Sequence, residues 1–232
     1  MALLSERDAQ VVREQLSQLQ KKIEIRAYLQ KINCDSCPDA EAILKELSGL
    51  SDMLEVRLLN PQIEGEEAEA DSVDRVPTIV VSDGENSRAR FIGTPSGYEF
   101  SSLLATIIET GTEKTSLNEK SADFLGGLED DLDIKVFVTP NCPYCPGSAV
   151  LAHRMAIASP RVTSEVIEAN EFMDLSGKYE VRGVPRTVVN DRIFVEGALP
   201  EDQMIEALDK ALAEGSEEQV NLMELLQADQ GE

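Results

Sequence analysis

NCPYCPGS at residues 141–148 and NCDSCPDA at residues 33–40 are two versions of one motif, Asn-Cys-x-x-Cys-Pro. Together they contain all four cysteines of the 232-residue chain. Each shared residue of the motif at 141–148 lies 108 positions after its counterpart in the motif at 33–40. A motif that recurs at a fixed offset indicates an internal structural repeat.

The same offset extends beyond the cysteines. VPTIVV at residues 76–81 and VPRTVV at residues 184–189 are also 108 positions apart, so Pro77 corresponds to Pro185. Each proline follows the first cysteine of its own half by 43 positions. Chance does not readily give cysteines and prolines one offset, and we interpret the chain as two copies of one fold.

Hydrophobic periodicity and turn residues predict the same order of elements in both halves, β-α-β-α-β-β-α. The segments that carry this pattern are 22–30, 40–47, 53–60, 64–71, 79–93 and 98–110 in the first half, and 133–139, 149–158, 161–169, 187–197 and 201–214 in the second. The cysteine pair lies between the first strand and the first helix. Strands that alternate with helices predict an α/β fold with parallel pairing, and the final hairpin adds an antiparallel part.

The polar segment at residues 111–121 is the expected boundary between the two copies. We therefore predict two domains, residues 1–115 and 116–232, and about 100 residues each is an ordinary domain size. Residues 1–20 add an amphipathic helix, and residues 215–232 read as an acidic helix or a frayed tail.

Composition excludes several classes of partner. The formal net charge of −23 opposes binding to nucleic acid and to anionic membrane surfaces. No segment approaches the roughly 20 apolar residues of a membrane span, and MALLSERDAQVV lacks the basic start and apolar run of a signal peptide. We therefore expect a cytoplasmic protein. Its acidity fits either a halophilic source or a merely acidic cytosolic protein.

Paired cysteines in a reducing compartment are more often redox-active or metal-binding than structural. Two Cys-x-x-Cys pairs are able to bind zinc, but here 104 residues separate the pairs and Val-Pro recurs after each. The pattern favours dithiol redox chemistry and no metal site. The single histidine, His153, falls on an apolar helix and is expected to be a packed residue.

Cys-x-x-Cys between a strand and a helix, followed about 40 residues later by Val-Pro and a hairpin, resembles the thioredoxin fold. Two such units resemble the glutaredoxin-like, tandem thioredoxin-fold family of protein disulfide oxidoreductases, and CPYC is the motif typical of glutaredoxins. The resemblance implies cis prolines at Pro77 and Pro185, each beside its own cysteine pair. Thioredoxins also keep a buried acid six residues before the first cysteine, where this chain has Tyr28 and Val136.

The spacing of each pair predicts its chemistry. The first cysteine is expected at the N-cap region of a helix and the second one turn inside, where the free N–H groups and the helix dipole favour a thiolate. We expect Cys142 to attack a substrate disulfide and Cys145 to resolve the mixed disulfide, with Cys34 and Cys37 as the second catalytic pair. The residues expected to offer backbone groups to a substrate strand are Val76, Pro77, Val184 and Pro185.

The two sites are not expected to be equal. No charged residue lies between Asn141 and Ala152, whereas Asp35 separates the cysteines of the first pair. A carboxylate beside Cys34 opposes a second negative charge by about 1 kcal/mol at a dielectric near that of water. We predict that Cys142 is the more acidic and more reactive thiol. The residues predicted to modulate the sites are Asp35, Pro143, Tyr144 and Arg186.

The predicted function is therefore that of a cytoplasmic thiol–disulfide oxidoreductase in cell redox homeostasis, acting on protein thiols and disulfides. No cofactor is expected to be bound beyond the redox-active disulfides. Reducing equivalents are expected from NADPH through a thioredoxin-reductase-like flavoprotein. Two alternatives remain open: an electron donor to a peroxidase, like the N-terminal part of the flavoprotein component of alkyl hydroperoxide reductase, and a chaperone-like peptide-binding module.

Overall fold

A computed structural model describes residues 3–112, 116–213 and 219–228. The strands are β1 (Ile23–Tyr28), β2 (Leu54–Leu59), β3 (Thr78–Ser82), β4 (Ala89–Ile92), β5 (Leu132–Val138), β6 (Val162–Glu168), β7 (Arg186–Val189), β8 (Ile193–Glu196) and β9 (Val220–Asn221). The helices are α1 (Glu6–Leu16), α2 (Cys37–Ser48), α3 (Gly65–Ala70), α4 (Glu99–Gly111), α5 (Glu119–Gly126), α6 (Cys145–Ala158), α7 (Met173–Lys178), α8 (Glu201–Ala213) and α9 (Leu222–Ala228).

Both halves have the predicted order of elements, and the α/β fold is confirmed. In the first unit the strand order is β2-β1-β3-β4, and in the second it is β6-β5-β7-β8. The first two strands of each unit pair in parallel, and the hairpin strands pair antiparallel. Each unit is thus a mixed sheet, as the switch from helix-linked strands to a hairpin predicts.

The two sheets join into one, which the sequence did not predict. Strand β4 of the first unit pairs in parallel with β6 of the second, Ala89–Ile92 against Ser164–Ile167. Among the described residues this gives a single nine-stranded sheet. Helix α5 and strand β9 are further elements that the sequence did not predict.

The core explains why α6 is apolar almost all round. This helix packs on β5 and β6 of its own unit and also on α4 of the first unit, so two of its faces are covered. His153 is buried on it, as predicted, with its ring 4.7 Å from the ring of Phe91. A helix covered on both sides has no need of a polar stripe.

The N-terminal helix predicted at residues 1–20 is α1, whose first turn is capped by the side chain of Ser5. The acidic C-terminal stretch contains β9 and α9, while residues 214–218 and 229–232 lie outside the described residues. The predicted boundary at 115/116 adjoins residues 113–115, which also lie outside them. No helix in the described parts of the chain is both long enough and apolar enough to cross a bilayer.

Candidate functional site

Both cysteine pairs lie at the junction of the first strand and first helix of their units. Cys34 and Cys37 are joined by a disulfide with their Cα atoms 5.4 Å apart, and Cys142 and Cys145 by one with their Cα atoms 5.5 Å apart. The helices begin at Cys37 and Cys145 themselves. The expectation that the second cysteine lies one turn inside the helix was therefore wrong, because each helix starts at the second cysteine of its motif.

The N-termini of these two helices keep donors available to the sulfurs. The N-cap residues are Ser36 and Tyr144, and neither side chain caps the backbone N–H groups. The N–H of Cys145 instead donates to Sγ of Cys142 at 3.1 Å. A helix N-terminus with free N–H groups favours a negative charge on the sulfur that it faces.

The second site also brings its predicted Val-Pro segment against the cysteines. The Val184–Pro185 peptide is cis, and the carbonyl oxygen of Val184 lies 3.7 Å from Sγ of Cys142. Tyr144 projects into solvent and is 73% exposed. Pro143 is exposed and precedes the first residue of α6.

The first site repeats this plan with different surroundings. The Val76–Pro77 peptide is cis, Cys34 is half-buried and Cys37 is buried. Sγ of Cys37 accepts a hydrogen bond from the N–H of Gln30 at 3.3 Å. Asp35 is exposed beside the cysteines. Both prolines are therefore cis, as the resemblance implied.

Arg186 is engaged by side chains of its own hairpin. Its guanidinium pairs with Glu196 at 2.6 Å and lies 4.4 Å from the ring centre of Phe194. In the sheet it is opposite Phe137, which belongs to a hydrophobic cluster separate from the one that contains the cysteines. Glu196 neutralises the charge of Arg186. The predicted effect of Arg186 on the reactivity of Cys142 stays a prediction.

Glu99 is a buried carboxyl group that the sequence did not predict near the second site. It starts α4 of the first unit, is 2% exposed, and has no hydrogen-bond partner for either oxygen among the described residues. It lines a cavity of about 10 Å³ with Val138, the last residue of the strand that leads to Cys142. Burial raises the pKa of Glu99 to about 7, and the nearby hydroxyl of Ser102 lowers it less.

Backbone contacts hold the start of α4 against the second site. The N–H of Tyr98 donates to the carbonyl oxygen of Pro140 at 2.9 Å, two residues before Cys142. Gly97 has a φ of +59°, and a Cβ added there would lie 2.3 Å from that same oxygen. The first unit thus contributes to the site of the second. A glutamate two residues after a Gly was the only local signal, and it is too common to be diagnostic.

Residues 132–210 match the thioredoxin domain family. Across 209 residues, 86% of this chain, the sequence is 24% identical to the F component of alkyl hydroperoxide reductase from Escherichia coli. The chain spans 39% of the length of that relative.

Solved structures are similar over nearly the whole chain. A protein disulfide oxidoreductase from Aeropyrum pernix has a TM-score of 0.83 and 27% identity, covering 93% of this chain and 95% of that one. The NTD N/C domain of alkyl hydroperoxide reductase AhpF from Enterococcus faecalis has a TM-score of 0.82 and 22% identity, covering 88% and 99%.

Proposed function

We propose that the chain is a thioredoxin-fold disulfide oxidoreductase whose two Cys-x-x-Cys motifs form, reduce or rearrange disulfides in other proteins. The observation that supports this most directly is the pairing of each dithiol with its own cis Val-Pro segment. A sulfur pair beside an open backbone edge suits exchange with a cysteine in an extended peptide.

The principal site is Cys142 with Cys145. In the reducing direction the thiolate of Cys142 attacks one sulfur of a substrate disulfide, and the other substrate sulfur leaves as a thiolate. The thiolate of Cys145 then attacks Cys142, which closes the Cys142–Cys145 disulfide and releases the second substrate thiolate. The substrate gains the two electrons that the dithiol loses, and the reverse sequence oxidises a dithiol.

The helix N-terminus supports this assignment. Donation from the N–H of Cys145 to Sγ of Cys142 stabilises the attacking thiolate, and no charged side chain between Asn141 and Ala152 opposes it. Cys34 and Cys37 form the second, auxiliary pair, with Asp35 beside them. Val184 and Val76 would offer backbone groups to a bound substrate strand, and exposed Tyr144 would contact the substrate at the second site.

Glu99 is the proposed proton-exchanging group of the second site. The thiol of Cys145 has to lose its proton before it attacks, and a substrate thiolate that leaves takes up a proton, so each turnover moves a proton from the enzyme to the product. A carboxyl group whose pKa is raised to about 7 by burial is suited to give and take a proton at neutral pH. Its cavity adjoins the end of β5, from which the Cys142 loop departs.

The electrons are proposed to come from NADPH through a thioredoxin-reductase-like flavoprotein in the cytoplasm. The match to the alkyl hydroperoxide reductase component over 86% of this chain favours a second candidate, an electron donor to a peroxidase. Coupled assays distinguish the two. NADPH-dependent peroxide turnover with a reductase and a peroxidase added supports the donor role, and turnover of protein disulfides alone supports the first.

Trapping of mixed disulfides tests the site assignment. One variant keeps only Cys142, because Cys34, Cys37 and Cys145 are changed to Ser. The matched variant keeps only Cys34, because Cys37, Cys142 and Cys145 are changed to Ser. Each is reduced and mixed with a disulfide-bonded protein. We expect faster trapping through Cys142, seen on non-reducing gels and reversed by dithiothreitol, and none after all four Cys→Ser changes. Faster trapping through Cys34 would reverse the assignment, and no trapping by either would overturn the function.

A further inference from the structure

Each site has a flank beside its cis proline, and the two equivalent flanks have different neighbouring residues. In each unit a glycine at the end of the hairpin donates its N–H to the carbonyl oxygen of the cis proline: Gly93 to Pro77 at 2.9 Å, and Gly197 to Pro185 at 2.8 Å. These contacts establish which residues correspond. The Val-Pro segment and the residues after this glycine form what we call the Val-Pro flank of each site.

The flank of the first site is covered by residues 168–174 of the second unit, the covering segment. The N–H of Thr94 donates to the carboxylate of Glu171 at 3.0 Å. A Cβ added to Gly93 would lie 2.7 Å from Cβ of Glu168, so the two backbones are closely packed there. Gly93 and Thr94 are both buried.

The covering segment also holds the residue before the first Val-Pro. The guanidinium of Arg75 donates to the carboxylate of Asp174 at 3.3 Å and lies 5.5 Å from the ring centre of Phe172. Arg75 also pairs with Asp74 of its own unit at 2.9 Å, and Asp174 is 72% exposed, so the contact with Asp174 lies at the outer edge of the flank. An exposed ion pair contributes little stability, but it does fix where the two side chains lie.

The flank of the second site is open. Gly183 is the counterpart of Arg75, 108 positions later, and no atom of the described residues lies within 4 Å of a Cβ added to it. The same holds for Gly197, and the next residue, Ala198, is exposed. The two Val-Pro pairs themselves are equally buried, so the difference lies in the residues on either side of them. A peptide that extends past Val184 and Pro185 therefore has room there that it lacks on either side of Val76 and Pro77.

From this asymmetry we infer that the covering segment sets the substrate class of the first dithiol, restricting Cys34 and Cys37 to small disulfides while the second site accepts extended protein chains. Cys34 is half-buried and Cys142 is only 7% exposed, so the first site differs in its flank and not in tighter access to its cysteine. A small disulfide has no need to lie along the covered flank when it reacts with Cys34. The inference rests on the proposed function, since it assumes that both pairs exchange disulfides.

The exchange at the first site balances without a further reactant. The thiolate of Cys34 attacks a small disulfide RSSR, forming Cys34–SR and releasing RS⁻. The thiolate of Cys37 then displaces the second RS⁻ and closes the Cys34–Cys37 disulfide. RSSR is reduced by two electrons to two thiols, and the dithiol is oxidised by the same two electrons.

Single-turnover kinetics test the inference on the whole chain. One variant keeps only the first dithiol (Cys142→Ser/Cys145→Ser) and the other keeps only the second (Cys34→Ser/Cys37→Ser). Each is reduced and mixed with bis(2-hydroxyethyl) disulfide or with insulin. The loss of the variant's own cysteine thiols, counted separately from those of insulin, gives a rate constant. We expect the insulin-to-small-disulfide ratio of rate constants to be at least tenfold lower for the first dithiol.

Opening the flank supplies the second measurement. In the first-dithiol variant, Glu171→Ala/Asp174→Ala removes both carboxylates that hold the flank and is expected to raise that ratio at least threefold, with no change at the second dithiol. Asp131→Ala/Glu129→Ala removes two exposed carboxylates elsewhere and should leave it unchanged. Equal ratios for the two dithiols would overturn the inference while leaving the function intact. No reaction of the first dithiol with either disulfide would instead remove the two-site function on which it rests.

Discussion

Glu99 shows how a single buried side chain links stability to pH. In the folded protein its pKa is raised to about 7 by burial, from an ordinary value of 4.5. Between these two pH values the folded state holds a proton that the unfolded state has lost. The resulting stabilisation is complete below pH 4.5 and is lost as the pH rises through 7.

Replacing Glu99 by Gln should remove this dependence. A neutral amide cannot ionise, so relative to the wild type the variant should gain stability between pH 5 and pH 8, by at most roughly 3 kcal/mol. Urea unfolding at both pH values measures the difference. Glu129→Gln, at an exposed position, is the matched control and should leave the pH slope unchanged. A slope in Glu99→Gln equal to that of the wild type would contradict a raised pKa.

Among the elements, α4 is fitted at its start to the loop before Cys142, and Gly97 makes the fit possible. Glycine adopts a positive φ without strain. Because Gly97 has no Cβ, its backbone can lie close to the carbonyl oxygen of Pro140. The N–H of Tyr98 then reaches the carbonyl oxygen of Pro140. This contact ties a helix of one unit to the active loop of the other.

Gly97→Ala should therefore destabilise the fold by about 2 kcal/mol, because the added Cβ overlaps a backbone oxygen and the loop has to shift. Gly84→Ala is the control: Gly84 also has a positive φ, +94°, but its Cβ would meet no atom within 4 Å in the described part of the chain. Urea unfolding gives the two changes in stability, and thiol labelling of the reduced proteins should show a changed rate for Cys142 only with Gly97→Ala. Equal losses of stability in the two variants would refute the overlap.

Helix α6 begins at a redox-active cysteine, and its only titratable ring lies in the middle of the helix. It begins at Cys145, whose N–H serves the neighbouring sulfur, and its middle carries His153 among apolar side chains. Burial, with a smaller effect of Arg90, lowers the pKa of His153 to about 3. The ring is therefore neutral at physiological pH and acts in packing against Phe91 rather than in proton transfer.

Across the molecule as a whole, the two units share a sheet as well as a helix contact. The β4–β6 pairing is reinforced by an ion pair of 3.1 Å between Arg90 and Glu165, whose side chains are largely buried. Separating the units would expose the edge of β4, the edge of β6 and the faces of α4 and α6 that pack together. Exposed strand edges and apolar helix faces favour aggregation.

We therefore expect the full chain to unfold in one cooperative transition, with far-UV circular dichroism and tyrosine fluorescence coinciding. The halves 1–115 and 116–232, cut at the proposed boundary, should each be less stable and prone to aggregate. Equilibrium urea unfolding and size-exclusion chromatography measure both properties. Two soluble halves whose unfolding free energies add up to that of the whole would contradict a shared sheet.

The repeat, the order of elements and the two dithiol sites could all be predicted from the residues alone. Cys142, Cys145 and Pro185 stand in a spacing that recurs 108 positions earlier, and strand and helix periodicities are local properties that a single chain displays. The cis prolines followed from the resemblance that those residues carry.

How the two copies differ in use depends on tertiary contacts that no local pattern reveals. Three kinds of contact join positions far apart in the chain: the pairing of β4 with β6, the shared cavity of Glu99 and Val138, and the covering of Arg75 and Thr94 by residues 168–174. Such contacts arise when two completed units pack, and their residues carry no signature of spacing or periodicity. Two motifs that look alike in the sequence therefore stand in different surroundings, because one unit lies against the flank of the other.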